Sequence, residues 1–222
     1  MERKQPLADG EIYHVFNKSI AGFTIFNVDR EYERFKQMLL FFSVDQKHSK
    51  FSHFQSSKFV DKSGFYKAFR ETFVDYEVRV EIIAYCIMPT HFHLMLKQVK
   101  GDGISRFVGN LQNSYTRYFN ETRRRKGPLW VGRFKNVLVE TDEQLLHLTR
   151  YLHLNPVKAN LCRNASTWDY SSFQEYIGKD SEANLCTYAS YLDEAGEGYK
   201  DFVDEYSNEQ KAALIINKLT LD

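Results

Sequence analysis

Runs of apolar residues, some alternating with polar ones, predict the β-strands of this chain. The segments EIYHVFN, EVRVEIIAYCIM and HFHLMLKQ are rich in β-branched and aromatic residues, which favour strands. Pro89 cannot donate a backbone hydrogen bond, so Pro89 and Thr90 should form a turn between two of the strands. We predict strands over residues 11–17, 77–88, 91–98 and 134–140.

Elsewhere, apolar residues recur every three or four positions, as they do on the buried face of a helix. Phe35, Met38, Leu39 and Phe42 give this spacing in the first such segment. Pro156 should stop a later helix, because proline lacks the N–H that a helix interior needs. We predict helices over residues 30–47, 104–124, 142–154, 167–177 and about 199–217.

The order strand, helix, strand, strand, helix, strand, helix predicts an α+β fold. In this fold one antiparallel sheet carries helices on one face. Residues 49–76 look like an insertion, in which Phe65, Phe69 and Phe73 indicate a short amphipathic helix because they fall four apart. After residue 178 we expect an acidic, helical C-terminal extension.

The net charge of +1 conceals two regions of opposite sign. Residues 180–222 contain ten acidic and three basic residues, a net charge of −7, which leaves +8 for residues 1–179. A basic body indicates a polyanionic partner, although an ordinary solvated surface has the same composition. No apolar run approaches the roughly 18 residues of a membrane span, and the three cysteines form no Cys-x-x-Cys pair. We therefore expect a cytoplasmic protein with reduced thiols and no membrane partner.

The most informative residues are His91 and His93, which stand two apart in a predicted strand. Strand side chains alternate between faces, so both imidazoles should point the same way, with Cα atoms roughly 7 Å apart. Phe92, Leu94 and Leu96 would then point into the core. The histidine pair therefore supplies half of a metal site, although such pairs also occur in purely structural roles.

The helix predicted over 142–154 offers the other half of that site. Tyr151 and Asn155 are four apart and should share one face of the helix or of its last turn, with His147 one turn earlier. A tyrosine hydroxyl has a pKa near ~10 and is a poor nucleophile, unless a divalent metal polarises the electrophile. The amide oxygen of Asn155 is a neutral ligand that suits Mg²⁺ or Mn²⁺. Taken singly, each of these residues also fits ordinary packing.

The candidate site residues become specific when they are read with the sequence around them, in three segments that follow one another along the chain. They are AYCIMPTHFHLML, SYTRYFNETRRRKGPLWVGRFKNVLVETDEQLLHLTRYLHLNPVKANL and STWDYSSFQEYIG. Together they resemble the HUH single-tyrosine transposases, and most closely the REP-associated tyrosine transposase branch, over roughly residues 10–178. The resemblance implies a ferredoxin-like, RRM-like sheet in a transposase domain over 1–178. The insertion and the extension over 179–222 depart from the family pattern.

The same resemblance assigns roles to individual residues. It implies that His91, His93 and Asn155 bind a divalent metal, Mg²⁺ or Mn²⁺, and that Tyr151 is the nucleophile. The expected activity is metal-dependent nicking and rejoining of single-stranded DNA through a 5′-phosphotyrosine intermediate, on hairpin or repeat DNA. Tyr115, on the helix predicted over 104–124, is the rival nucleophile.

Basic and aromatic residues cluster between the two motifs, in a composition typical of surfaces that hold phosphates and stack unpaired bases. Arg150 and Lys158 flank the tyrosine, where they could hold the scissile phosphate. We predict DNA contacts from Arg117, Arg123, Arg124, Arg125, Lys126, Trp130, Arg133, Lys135, Arg150 and Lys158.

Two other functions fit the same residues. One is a replication-initiator or relaxase-type nickase with the same chemistry, and the other is a catalytically inactive RRM-like module that only binds nucleic acid. The single tyrosine followed by Leu-His-Leu-Asn-Pro argues against the first, and the four intact candidate residues argue against the second. The sequence leaves open whether the protein is a monomer or a homodimer. It also leaves open whether Tyr151 works with the histidines of its own chain.

Overall fold

The computed structural model describes residues 6–47, 49–179, 183–192 and 196–205. Its strands are β1 (Ile12–Lys18), β2 (Val80–Met88), β3 (His91–Gln98) and β4 (Lys135–Val139). Its helices are α1 (Asp29–Ser43), α2 (Phe51–Gln55), α3 (Lys58–Ser63), α4 (Phe65–Thr72), α5 (Gly103–Thr122), α6 (Asp142–Lys158), α7 (Phe173–Tyr176) and α8 (Glu197–Asp204). Within the described residues the four strands form one antiparallel sheet in the order β2-β3-β1-β4.

The pairing of β1 with β3 gives the sheet two chemically different faces. Val15 lies opposite Leu94 and Asn17 opposite Phe92, so these positions share one face. Phe16 lies opposite His93 on the other face. The first face carries the main core, because α1 and α5 pack on it through aromatic side chains. The ring of Phe35 from α1, for example, lies 5.4 Å from that of Phe92.

The predicted α+β class and antiparallel sheet are confirmed. The prediction that helices cover one face holds for α1 and α5 but is wrong for α6, which packs against the opposite face. Its Tyr151 ring lies 5.9 Å from the ring of His93. The hydrophobic pattern of a helix identifies its buried side but not the surface that buries it, so the sequence could not place α6.

Helix α6 also continues beyond the predicted stop, since Pro156 lies inside it and the helix ends at Lys158. A proline this close to the end of a helix removes a single backbone hydrogen bond, the one that Leu152 would accept. The last turn forms regardless, with the N–H of Ala159 donating to the carbonyl of Asn155 at 2.9 Å. Burial of the Pro156 ring favours this arrangement.

The insertion is a compact helical layer attached to α1. It contains three short helices, α2 to α4. Phenylalanines from α2 and from the end of α4 pack against Phe41, whose ring lies 5.5 Å from those of Phe51 and Phe73. Phe65 and Phe69 are buried in the same cluster. The predicted amphipathic helix is therefore confirmed as α4.

The described part of the C-terminal extension packs on the body of the protein. The N–H of Thr187 donates to the carbonyl of Ile82 on edge strand β2 at 2.9 Å, which covers part of that edge. In α8, the Tyr199 side chain is fully buried and its hydroxyl lies 2.7 Å from Nδ1 of His153 in α6. The rest of the helix predicted over 199–217, from residue 206 onward, lies outside the described residues.

Two smaller expectations can be compared with the structure. Cys86, Cys162 and Cys186 are all free thiols, as predicted. Within the described ranges, each helix is too short or too polar to cross a bilayer.

The contact between Tyr199 and His153 makes α8 part of the folded core, and this can be measured. Tyr199→Ala should lower the free energy of unfolding by about 3–5 kcal/mol, because it leaves a large cavity. Tyr199→Phe should cost about 1–3 kcal/mol, because it leaves a buried imidazole nitrogen without its partner. Urea unfolding followed by circular dichroism measures both values. Wild-type stability in Tyr199→Ala would mean that α8 does not pack on α6.

Candidate active site

His91 and His93 lie side by side on the face of the sheet that α6 covers. Their ring centres are 5.1 Å apart and their planes are nearly perpendicular. Two imidazoles whose nitrogens each lie about 2 Å from one ion have centres roughly 5 Å apart, so the pair fits a shared metal. The burial of His93, helped by the neighbouring His14 and His91, holds its pKa well below the usual value. The ring is therefore neutral at pH 7 and can offer a nitrogen lone pair.

Helix α6 places the tyrosine directly over this pair. The ring of Tyr151 stands edge-on to that of His93, with centres 5.9 Å apart and an interplanar angle of 88°. The Tyr151 side chain is 8% exposed, so solvent reaches only a small part of it. Residues nearly sixty positions apart in the sequence thus meet as predicted.

Asn155 is oriented by the helix itself. Its side-chain Nδ2 donates to the backbone carbonyl of Tyr151 at 3.0 Å. A carbonyl can only accept, so this bond assigns the amide nitrogen to the helix and leaves Oδ1 as the atom that could bind a cation. Asn155 lies one turn after Tyr151, so its oxygen and the phenol belong to the same surface of α6.

His14 is a third histidine at the site, and the sequence analysis missed it. Its side chain is fully buried on β1, and its Nε2 lies 3.0 Å from Nδ1 of His93. Its ring also lies 6.3 Å from that of Tyr151. Strand alternation in the sequence predicts that His14 points to the opposite face of β1 from Tyr13 and Val15. The sequence does not show that β1 pairs with the strand of His93, and that pairing is what brings the two histidines together. Because His14 engages Nδ1 of His93, the other nitrogen, Nε2, is left to face a metal.

Two lysines extend the site beyond the histidines. A cleft of about 320 Å³, which we call the histidine cleft, opens beside the pair. Its lining residues are Phe16, Asn17, Lys18, His91, Phe92, His93, Val131 and Lys135. Lys18, opposite His91 on β1, was not predicted, whereas Lys135 was. A cleft with cations beside paired imidazoles suits an anion such as a phosphodiester.

Lys158 adds a further cation next to the phenol. Its Nζ lies 5.0 Å from the centre of the Tyr151 ring. Burial, together with the charge of Arg150, lowers the pKa of this ammonium. A positive charge here would stabilise a developing phenolate or a bound phosphate, as expected for a predicted DNA-binding residue.

The rival nucleophile, Tyr115, lies in the core on the opposite side of the sheet. Its side chain is fully buried, and its hydroxyl donates to the carbonyl of Ile25 at 2.6 Å. Burial raises the pKa of the phenol far above its usual value. The geometry therefore favours Tyr151 over Tyr115.

Several of the other predicted DNA-binding residues have structural partners. Arg123 forms a 2.8 Å ion pair with the buried Glu31. The indole nitrogen of Trp130 donates to Thr116 Oγ1 at 3.1 Å, with the ring buried. Arg150 is 6% exposed under α8, with its guanidinium carbon 4.0 Å from the centre of the Phe202 ring.

The rest of that set is more open to solvent. Arg125 donates to the carbonyl of Pro128 at 2.6 Å and so braces the loop after α5. The remaining members are exposed, and they are Arg117, Arg124, Lys126 and Arg133. The ten residues therefore do not form one surface. Lys135 and Lys158 lie beside the histidines and the tyrosine. DNA contact by all ten residues stays a prediction.

Known proteins share sequence and fold with this chain. Residues 55–155 match the family described as "Transposase IS200 like". A protein of Haemophilus influenzae assigned to the REP-associated tyrosine transposases is 30% identical over 123 residues, which span 51% of this chain and 69% of that protein. This chain belongs to the REP-associated tyrosine transposase family.

The fold of this chain also resembles a solved structure. That structure is of a REP-associated tyrosine transposase bound to a REP hairpin, and it matches with a TM-score of 0.52 and 16% sequence identity. The match covers 89% of this chain and 97% of the other. The family and the fold implied by the sequence resemblance are both confirmed.

Among the described residues of this chain, no three histidine, cysteine or acidic side chains cluster as a metal-binding group. The candidate set consists of two histidines and one amide oxygen, so it contains no charged ligand. An amide oxygen adds no charge, so a divalent ion held by these residues would keep its full positive charge and could polarise a phosphate.

The hydrogen bond between His14 and His93 predicts a measurable effect on metal binding. His14→Phe keeps a flat ring in place but removes the nitrogen partner of His93, and Mn²⁺ affinity should fall about 10–100-fold. His14→Gln can keep a polar atom near that nitrogen and should retain most of the affinity. Isothermal titration with Mn²⁺ measures both variants, with circular dichroism as the control for folding. Equal affinities in wild type and His14→Phe would remove His14 from the metal site.

Proposed function

We propose that this protein nicks and rejoins single-stranded DNA, with Tyr151 as the nucleophile and a 5′-phosphotyrosine as the intermediate. The observation that carries the proposal is the position of the Tyr151 phenol above the His91–His93 pair. The ring centres of Tyr151 and His93 are 5.9 Å apart. Membership of a transposase family supports this reaction class, and the lysines of the histidine cleft suit a phosphodiester substrate.

The proposed reaction is a transesterification that conserves bond energy. The Oη atom of Tyr151 forms a bond to phosphorus while the bond from phosphorus to the 3′ oxygen breaks. The phenol loses its proton to solvent and the leaving oxygen gains one, which gives a free 3′-OH. One phosphodiester replaces another, so a 3′-OH can later attack the phosphotyrosine and reseal the strand without ATP.

His91, His93 and Asn155 would hold a divalent ion, Mg²⁺ or Mn²⁺, at this site. When bound, the ion supplies polarisation of the scissile phosphate. The chain itself contributes the orientation of each ligand. Nε2 of His14 lies 3.0 Å from Nδ1 of His93 and fixes that ring. Thr90 Oγ1 contacts Nδ1 of His91 at 2.9 Å, and the Tyr151 carbonyl accepts a hydrogen bond from Nδ2 of Asn155.

The substrate we propose is hairpin or repeat DNA with a single-stranded segment in the histidine cleft. The structural relative was solved with a REP hairpin, and this chain shares its fold and its family. Tyr151 lies over His93 of the same chain, so nucleophile and metal ligands act together within one subunit. In this scheme residues 1–178 are the transposase domain and residues 179–222 are an extension, whose helix α8 packs on α6 through Tyr199.

The alternative with specific support is a module that binds DNA without cutting it. The low exposure of Tyr151 would suit such a protein, because a catalytic phenol must reach the phosphate. Covalent adduct formation separates the two possibilities, because a binding module forms none.

Tyr151→Phe removes a single oxygen and should abolish the covalent protein–DNA adduct, while DNA affinity and stability stay near wild type. Tyr115→Phe should retain adduct formation, since its hydroxyl serves the core. Incubation with hairpin-tipped single-stranded DNA and Mn²⁺, followed by denaturing electrophoresis and peptide mapping, measures both. An adduct mapped to Tyr115 would overturn the assignment.

Removal of the proposed metal ligands should give a graded loss of cleavage. His91→Ala and His93→Ala should each abolish it, and Asn155→Ala should reduce it less, because a neutral amide is the weakest of the three ligands. EDTA should inactivate the wild type, and added Mn²⁺ should restore it. Full cleavage in EDTA would exclude a metal-dependent reaction.

A further inference from the structure

A second polar cleft lies on the other side of the sheet. It has a volume of about 420 Å³ and runs between α1, the start of the insertion and α5. We call it the helix-face cleft. The residues that matter for its chemistry are Arg34, Lys47, Lys50, Asn110, Asn113 and Arg117.

The charge of this cleft is strongly positive. Four cationic side chains line it against one carboxylate, that of Glu121. Asn110, Asn113 and Arg117 recur at helical spacing, so α5 presents one polar wall. Lys50, at the start of the insertion, supplies a cation from the opposite wall.

The floor of the cleft contains polar atoms without hydrogen bonds. The Arg34 guanidinium lies between two aromatic rings, 4.3 Å from the centre of Tyr118 and 5.0 Å from that of Phe51. Within the part of the chain that the structure describes, Nε of Arg34 and the hydroxyl of Tyr118 are buried and have no hydrogen-bond partner. Buried polar atoms are normally satisfied, so this guanidinium and this phenol keep unused hydrogen-bonding capacity beneath the cleft.

This cleft is separate from the histidine cleft. Helices α1 and α5 pack on the Phe92 face of the sheet, whereas His93 and Tyr151 lie on the opposite face. A DNA segment seated over Tyr151 therefore cannot at the same time fill the helix-face cleft.

We propose that the helix-face cleft binds a second segment of the DNA substrate, outside the stretch that is cleaved. Its cations suit phosphates, and the short amides of Asn110 and Asn113 suit the hydrogen-bonding edges of bases. This combination fits nucleic acid better than an acidic protein segment, which would need cations alone. The proposal rests on the proposed DNA substrate but not on the chemistry at Tyr151.

Two single substitutions test the cleft with a matched control. Lys50→Glu reverses a charge at the wall, and Asn113→Asp adds a negative charge with almost no change in shape. Lys67→Glu is the control, because Lys67 is also an exposed lysine of the insertion but does not line the cleft. Affinities are measured by fluorescence anisotropy at several salt concentrations. The two probes are a short single strand that fills only the histidine cleft and a long hairpin DNA with single-stranded flanks.

The expected result is a selective loss on the long DNA. Lys50→Glu should lower the slope of log affinity against log salt concentration for the long DNA by about 1, the value for one lost phosphate contact. Asn113→Asp should also weaken binding of the long DNA. Lys67→Glu should match the wild type. Equal weakening on both DNAs, or equal effects of Lys50→Glu and Lys67→Glu, would overturn the proposal. So would an unchanged affinity for the long DNA, which would leave the cleft to an acidic protein segment.

Failure of the proposed chemistry gives a different pattern. If the wild type binds both DNAs but forms no covalent adduct, the nicking function is wrong while the selective loss on long DNA still supports the cleft. If the wild type binds neither DNA, both proposals are wrong.

Discussion

The antiparallel pairing of β1 with β3 is the constraint on which the rest of the structure depends. One register places Val15 opposite Leu94 in the core and Phe16 opposite His93 at the site. Because strand side chains alternate between faces, a slip of one residue would turn the His93 side chain into the core and the Phe92 side chain onto the face that α6 covers. The stability of the core and the assembly of the site therefore depend on the same set of backbone hydrogen bonds.

Helix α6 carries Tyr151 and Asn155, and buried polar contacts hold it over the sheet. The two ring nitrogens of His153 lie 2.7 Å from the hydroxyl of Tyr199 and 2.8 Å from that of Ser172. Burial lowers the pKa of His153 to about 3, so the ring stays neutral over the physiological pH range and these contacts persist. The position of the candidate nucleophile thus depends on segments well beyond the motif that contains it, including α8.

The basic, aromatic-rich stretch after α5 serves two purposes at once. Glu31 is almost fully buried, and a buried carboxylate is costly unless a cation accompanies it. Arg123 supplies that cation at 2.8 Å, and Trp130 fills the space between α5 and the sheet, 5.3 Å from Phe92. A composition typical of a DNA surface therefore also completes the core. Of the cations beside the candidate chemistry, Lys135 belongs to this stretch, whereas Lys18 and Lys158 lie outside it.

The sequence by itself determined what each element presents. Alternation put His91 and His93 on one face of a strand, helical spacing put Tyr151 and Asn155 on one face of a helix, and the ordered motifs identified the family. The tertiary structure alone decided which faces meet. It brought His14 to His93 across 79 positions, set α6 against the face opposite α1 and α5, and buried Arg150 under α8. The physical reason is that periodicity records which side of an element is buried, whereas its partners are set by long-range packing and strand register, which leave no local trace in the sequence.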